Sequence, residues 1–231
     1  MKLQKSTSSR SSKQGFTILE LAIAMAIMTV LMIAFYQLTL ASTRVVFDTE
    51  AKLRITRDVR TFTGELSRSG LSASIAYIYP NRDTVLTSAA RLPEGGTGDF
   101  VLFIRTEPFD DTNPSSSVHI TRLTAYIREV PVGALSGPVV QYRQDFAMDE
   151  SSRVSRLPTE ENPPNTAESM AAAMLLNTEP REVLQLSRGL ANERLFINYA
   201  GRSVVVNGEI LHGNNNRRLT NTYNFTITPR G

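Results

Sequence analysis

The chain contains no cysteine and no tryptophan among its 231 residues. Without cysteine there is no disulfide, no thiolate nucleophile and no thiolate metal site, so the fold must rest on its apolar core. Histidine occurs twice, as His119 and His212. Each stands alone, and the chain has no H-E-x-x-H helix, no G-x-S-x-G elbow and no phosphate-binding loop of the G-x-x-x-x-G-K-[ST] type. Each histidine therefore reads as a surface or edge residue, and the chain as a non-enzyme. Proline is absent before Pro80, so nothing in the first third of the chain carries the residue that most reliably ends a helix. Acid is absent from residues 1–15, where Lys2, Lys5, Arg10 and Lys13 are the only charges. Charge of either sign is absent from residues 21–43.

What fills that uncharged stretch is Leu, Ile, Met, Ala, Val and Phe. As a helix its 23 residues extend roughly 34 Å at about 1.5 Å per residue, enough for a bilayer core about 30 Å thick. Immediately before it, one turn into the apolar segment that opens at Phe16, stands Glu20, a carboxylate that costs about 2–4 kcal/mol if carried towards the membrane centre. A secretory signal peptide matches the basic leader, but the bulky residues run on with no clear small-x-small exit before Ala41-Ser42. A plain single-pass anchor with its basic end in the cytoplasm matches the charge. It explains neither Gly15 ahead of Phe16 nor Glu20.

Residues 13–21, Lys-Gln-Gly-Phe-Thr-Ile-Leu-Glu-Leu, resemble the processing signature of type IV prepilins and type II secretion pseudopilins. The resemblance implies that a prepilin peptidase cuts after Gly15 and that Phe16 becomes the N-methylated first residue. It implies that Glu20 is the subunit-assembly carboxylate, paired with the positive N-terminus of a neighbouring subunit. A carboxylate among packed helices is tolerable when a cation is delivered to it and costly otherwise. The implied partners are the peptidase, other pilin or pseudopilin subunits joined through the N-terminal helix, and the inner membrane. The leader is then cytoplasmic and the head periplasmic, with the mature subunit in a pseudopilus or surface filament. No cofactor, metal or catalytic residue is implied. Within the family the chain looks most like the J-type minor pseudopilin and the W-type minor pilin. That likeness is carried by Arg57-Asp58-Val59-Arg60, Asp99-Phe100-Val101-Leu102-Phe103, and Tyr126 ahead of Val140-Gln141-Tyr142-Arg143.

Removing the leader changes the charge. The whole chain has 25 bases and 22 acids; without the four leader bases the balance is 21 against 22, a net charge of −1. The apparent basicity thus argues for topology and not for nucleic-acid binding, and Arg217-Arg218 is too small a patch to bind DNA by counterion release.

The expected organisation is a leader (1–15), a transmembrane and filament-packing half-helix (16–43), a solvent-exposed amphipathic half-helix (44–72) and a β-rich head (73–231) with a mobile insertion near 147–180. Ile55, Val59, Phe62 and Leu66 draw one apolar stripe on the second half-helix, and Gly70 is a plausible stop. Strands are expected at 99–106, 118–130, 139–143, 194–199, 203–206 and 222–228. Asn207-Gly208 carries a type I′ hairpin signal, a helix is expected at 167–176, and residues 181–190 are ambiguous. The fold class that follows is α+β and pilin-like: a long N-terminal helix, then an antiparallel sheet. Asp110-Asp111-Thr112-Asn113 could offer oxygen ligands but lacks the glycine and distal glutamate of a calcium loop. The competing function is a membrane-tethered periplasmic binding domain that never polymerises.

Overall fold

A computed structural model of the chain describes residues 17–87, 91–108, 118–147, 153–154, 166–214 and 217–230. The first element, α1 (Ile18–Leu71), is a single helix of 54 residues, as the lack of proline and the density of helix formers predict. The chain divides into two compact units, one ending at Glu50 and one running from Ala51 to Gly231.

In the first unit no residue from 17 to 47 is buried. Its apolar side chains cover the whole circumference of the helix, and three of its threonine hydroxyls are satisfied locally. Thr29, Thr39 and Thr43 each donate a hydroxyl hydrogen bond to the carbonyl four residues back, at 2.8–2.9 Å. That back-bonding suits a segment surrounded by hydrocarbon, where an unsatisfied hydroxyl is costly.

The second unit begins with the remainder of α1 and continues as β1 (Ile75–Tyr79), α2 (Arg82–Thr87), β2 (Thr97–Gly98), β3 (Phe100–Pro108), β4 (Val118–Arg128), β5 (Ser136–Asp145), β6 (Arg153–Val154), α3 (Thr166–Asn177), β7 (Arg181–Gly189), β8 (Phe196–Tyr199), β9 (Ser203–Asn214) and β10 (Arg217–Ile227). All strand pairs are antiparallel, in the order β1-β3-β4-β5-β7-β9-β8-β2, with β10 on β9 and a short β6 on β4. β10 takes one edge of β9 along its length, so β7 and β8 share the other. Segment 92–98 ties β8 back to β1: Leu92 N–H donates to Ile78 O, and Gly95 N–H to Asn198 O. The sheet therefore curls into a roll.

The middle of the sheet is covered on both faces, which is why β3 is an unbroken apolar run and not an alternating one. Val101 and Phe103 pack with Ile55, Phe62 and Leu66 of α1, while Phe100, Leu102 and Ile104 pack with Ala167, Ala171, Met174 and Leu175 of α3. Phe62 is the aromatic hub, meeting Tyr126, Tyr223 and Phe225 edge-on at centroid distances of 5.8–6.3 Å. The stripe expected on the second half-helix is thus core packing.

α1 stops at Leu71, one residue past Gly70, as expected. Gly70 also lets the helix close on β10, since a Cβ there would lie 2.2 Å from Ile227 Cγ2. Other expectations change. Asn207-Gly208 is not a turn, because β9 runs straight through it. Gly208 is a glycine because Tyr223 Oη and Leu195 Cδ1 lie within 2.6 Å of where its Cβ would be, and the hairpin falls instead between Asn214 and Arg217. His119 is buried in β4, not at the surface, because β3 and β6 flank it. Within the insertion expected near 147–180, the helix expected at 167–176 forms as α3 and packs on the core. The parts at 148–152 and 155–165, like the Asp110 loop, lie outside the described residues.

Candidate functional site

Two places concentrate the chain's unusual chemistry, and the first is the start of α1. Thr17 precedes the first helical residue, and its Oγ1 accepts a hydrogen bond from Glu20 N–H at 3.2 Å, while Leu21 N–H bonds to Thr17 O at 3.1 Å. Thr17 is therefore the N-cap and Glu20 the third helical position, the spacing of a capping box. The pattern is visible in the sequence as Thr-x-x-Glu, and the sequence reading missed it. It gives Glu20 a helix-start role alongside any role in assembly, and places its charge at the positive end of the helix dipole. The Glu20 side chain is exposed, and its carboxylate has no partner within the chain among the described residues. Gly15 and Phe16 lie outside the described residues.

Beyond Glu20, α1 is long and apolar enough to cross a membrane. Ile18, Leu19, Phe35 and Tyr36 are among a surface of bulky residues with nothing covering them in this chain. An apolar surface on all sides of a helix needs lipid or other helices around it.

The second place lies in the head and was not read from the sequence. Asp99, between β2 and β3, is 2% exposed, and Arg128 at the end of β4 is 4% exposed. Arg128 grips the carboxylate in a fork, Nε to Oδ1 at 2.8 Å and Nη2 to Oδ2 at 3.0 Å. Arg194 Nη1 adds a bond to Oδ2 at 2.7 Å and Leu195 N–H one to Oδ1 at 3.1 Å. Four donors leave the carboxylate fully engaged. Arg128 also donates to Leu135 O at 3.2 Å and to Glu193 O. Asn192 and Glu193 form a tight two-residue turn closed by Ala191 and Arg194, with φ of 52° and 62°. Left-handed backbone is unusual for glutamate, and the arginine bond to its carbonyl holds it there. One cluster thus fixes the β4–β5 loop, the β2–β3 junction and the turn ahead of β8.

A third charged group is structural. Glu168 of α3 is 4% exposed, and accepts from Arg91 Nε at 2.7 Å and Tyr79 Oη at 3.1 Å. Arg91 lies 3.9 Å over the Tyr77 ring. Burial, opposed by the Arg91 charge, pushes the Tyr77 phenol up to about 12. Burial, helped by Glu168, raises Tyr79 further. These contacts fasten α3 to β1. Among the described residues no group of three or more His, Cys, Asp or Glu side chains is placed to hold a metal ion.

In the comparisons with known proteins, the family model described as the prokaryotic N-terminal methylation motif matches residues 10–36. The chain therefore carries the type IV pilin and pseudopilin signal, at residues that run into the first half of α1. No curated protein and no solved structure matches the chain.

Proposed function

We propose that the protein is a pilin-like subunit, stored in the inner membrane by the first half of α1, cut after Gly15 by a prepilin peptidase, and methylated on Phe16. After processing it joins a type II secretion pseudopilus or a type IV pilus as a minor, non-enzymatic component. The supporting observation is the conjunction of the methylation motif at residues 10–36 with a helix that is exposed from residue 17 to 47 and uncharged from 21 to 43. Such a helix moves between lipid and a bundle of like helices with little change in hydrophobic energy, because hydrocarbon and packed apolar side chains are similar environments. Polar contacts then decide the axial register. Glu20 supplies the acceptor, and the amine freed at Phe16 supplies the donor on a neighbour.

The chain orients itself in the same reading. Four bases and no acid before residue 16 hold the leader in the cytoplasm, which leaves the head periplasmic. Loss of the leader removes that topological anchor and creates the N-terminal charge in one cut. The resemblance to J-type and W-type minor subunits favours a minor role.

The second reading is a periplasmic binding domain on the same tether that never polymerises; α1 serves it equally well. Mass spectrometry of the mature N-terminus separates the two. An N-methylated Phe16 start is expected, and a chain retaining Met1 in its native host would sink the filament reading. A Gly15→Glu variant should stay uncut, and its maturation to the shorter species would count against the assigned site.

A further inference from the structure

Strand β10 is an edge of the sheet. Among the described residues it pairs with β9 alone, and no backbone hydrogen bond from outside the sheet reaches residues 219–227. The outward N–H and C=O groups of an edge strand are a template for another strand, and folded proteins blunt them with charge, proline or a bulge. β10 has none of these over residues 219–227. The run Leu-Thr-Asn-Thr-Tyr-Asn-Phe-Thr-Ile carries no charge and no proline, and its register against β9 is unbroken. One face of the strand is covered by α1, where Phe62 packs on Tyr223 and Phe225 and Gly70 meets Ile227. The opposite face presents Thr220, Thr222, Asn224 and Thr226, all exposed. None of these four side chains has a hydrogen-bond partner among the described residues. Thr228, exposed just past the strand, continues the row, and its hydroxyl lies 2.8 Å from Ser203 Oγ.

We propose that β10 pairs edge to edge, antiparallel, with β10 of a second copy of this chain, about a two-fold axis at Asn224. A two-fold interface must be complementary to itself, and the open row is: Thr220, Thr222, Asn224, Thr226 and Thr228 read the same from either end. An unrelated partner strand requires no such symmetry. In this register Asn224 faces its own counterpart, Thr222 faces Thr226, and Thr220 faces Thr228. Threonine pairs across strands are favourable, and an asparagine amide both donates and accepts, so it can pair with itself. On the other face the half-buried Phe225 falls opposite Tyr223, an aromatic pair. An axis at Tyr223 or at Phe225 breaks the row, because it sets a threonine against Asn224. Pro229 has no N–H to give and bounds the paired stretch at one end, and the symmetry carries that bound to Leu219 at the other. The surface lies wholly within the head and stands independently of whether α1 enters a filament.

The chain has no cysteine, so one introduced thiol reports on one position. Directly opposed residues of antiparallel strands have Cα atoms about 4.5–5.5 Å apart, within the span of a disulfide. The full-length Asn224→Cys chain in detergent micelles should therefore give a disulfide-linked dimer under mild oxidation, read on a non-reducing gel. Thr222→Cys lies on the same exposed face and should not, because its two copies are offset by four residues, roughly 14 Å. A mixture of Thr222→Cys and Thr226→Cys chains should cross-link. In sedimentation of the cysteine-free chain, Asn224→Lys should weaken self-association about fivefold by setting like charges opposite one another. Absence of the Asn224→Cys dimer, equal cross-linking of Thr222→Cys alone, or association untouched by Asn224→Lys would overturn the proposal.

Discussion

Replacing Asp99 by Asn keeps the shape of the side chain and removes its charge, and the expected loss is large. In the native head, Oδ2 accepts from Arg128 Nη2 at 3.0 Å and Arg194 Nη1 at 2.7 Å, while Oδ1 accepts from Arg128 Nε and Leu195 N–H. An amide in that place keeps one acceptor oxygen and turns an NH₂ towards two guanidinium donors. Arg128, whose side chain is 2% exposed, is left as an uncompensated buried cation. Breaking one partner of such a pair costs about 3–5 kcal/mol, against a total domain stability on the order of 5–15 kcal/mol. The exposed half of Arg194 contributes little to that figure. Urea unfolding of the full chain in micelles, followed by the near-ultraviolet dichroism of its tyrosines, should show the midpoint falling at an unchanged slope. The double variant Asp99→Leu/Arg128→Met removes both charges and should recover at least about 2 kcal/mol relative to the sum of the single changes. Recovery stays incomplete, because Leu195 N–H, Leu135 O and Glu193 O lose their partners. A loss below about 1 kcal/mol for Asp99→Asn, or additive single changes, would refute the reasoning.

The remaining predictions concern α1 and the buried phenols. Gly70→Ala should destabilise the head by about 1–2 kcal/mol, since overpacking against Ile227 Cγ2 at 2.2 Å outweighs the gain of up to about 1 kcal/mol in helix propensity. A stabilised variant in the same urea assay would show that the contact relaxes freely. Glu20→Ala should be cut normally yet enter filaments poorly when pelleted pilus fractions are compared, and normal incorporation would remove its register role. Burial outweighs the hydrogen bonds from neighbouring groups and pushes Tyr126 and Tyr223 from 10.0 up to about 12. With folded pKa values above the unfolded one, their contribution is complete below about pH 10 and is lost as pH rises towards about 12. Each phenol is worth roughly 2–3 kcal/mol over that window. In a chain carrying Tyr36→Phe and Tyr199→Phe, which removes the two most exposed phenols, phenolate absorbance should therefore appear together with unfolding, and ordinary titration of the remaining phenols near pH 10 with the fold intact would contradict the assignment.

The elements legible in the sequence were those with a local cause. The run at residues 100–104 is apolar at every position, and it is a strand covered on both faces. Ile55, Phe62 and Leu66 repeat at helical spacing, and all three are buried against the sheet. The ambiguity at residues 181–190 was resolved as β7 by its neighbours β5 and β9, a tertiary decision that local pattern does not contain. The Asn207-Gly208 misreading has the same origin. A dipeptide suited to a turn stayed extended because β10 pairs along the whole of β9 and Tyr223 needs the space above Gly208.

The sequence by itself determined the methylation motif and the helix of membrane-crossing length that follows it. The basic leader, the uncharged run, and Thr17 with Glu20 at the helix start lie within a few turns of one another and act through charge, length and capping, which depend on nearest neighbours alone. Only the tertiary structure decided the head's chemistry. Asp99, Arg128 and Arg194 are separated by tens of residues and look like ordinary surface charges one at a time. The roll brings them together around one buried carboxylate.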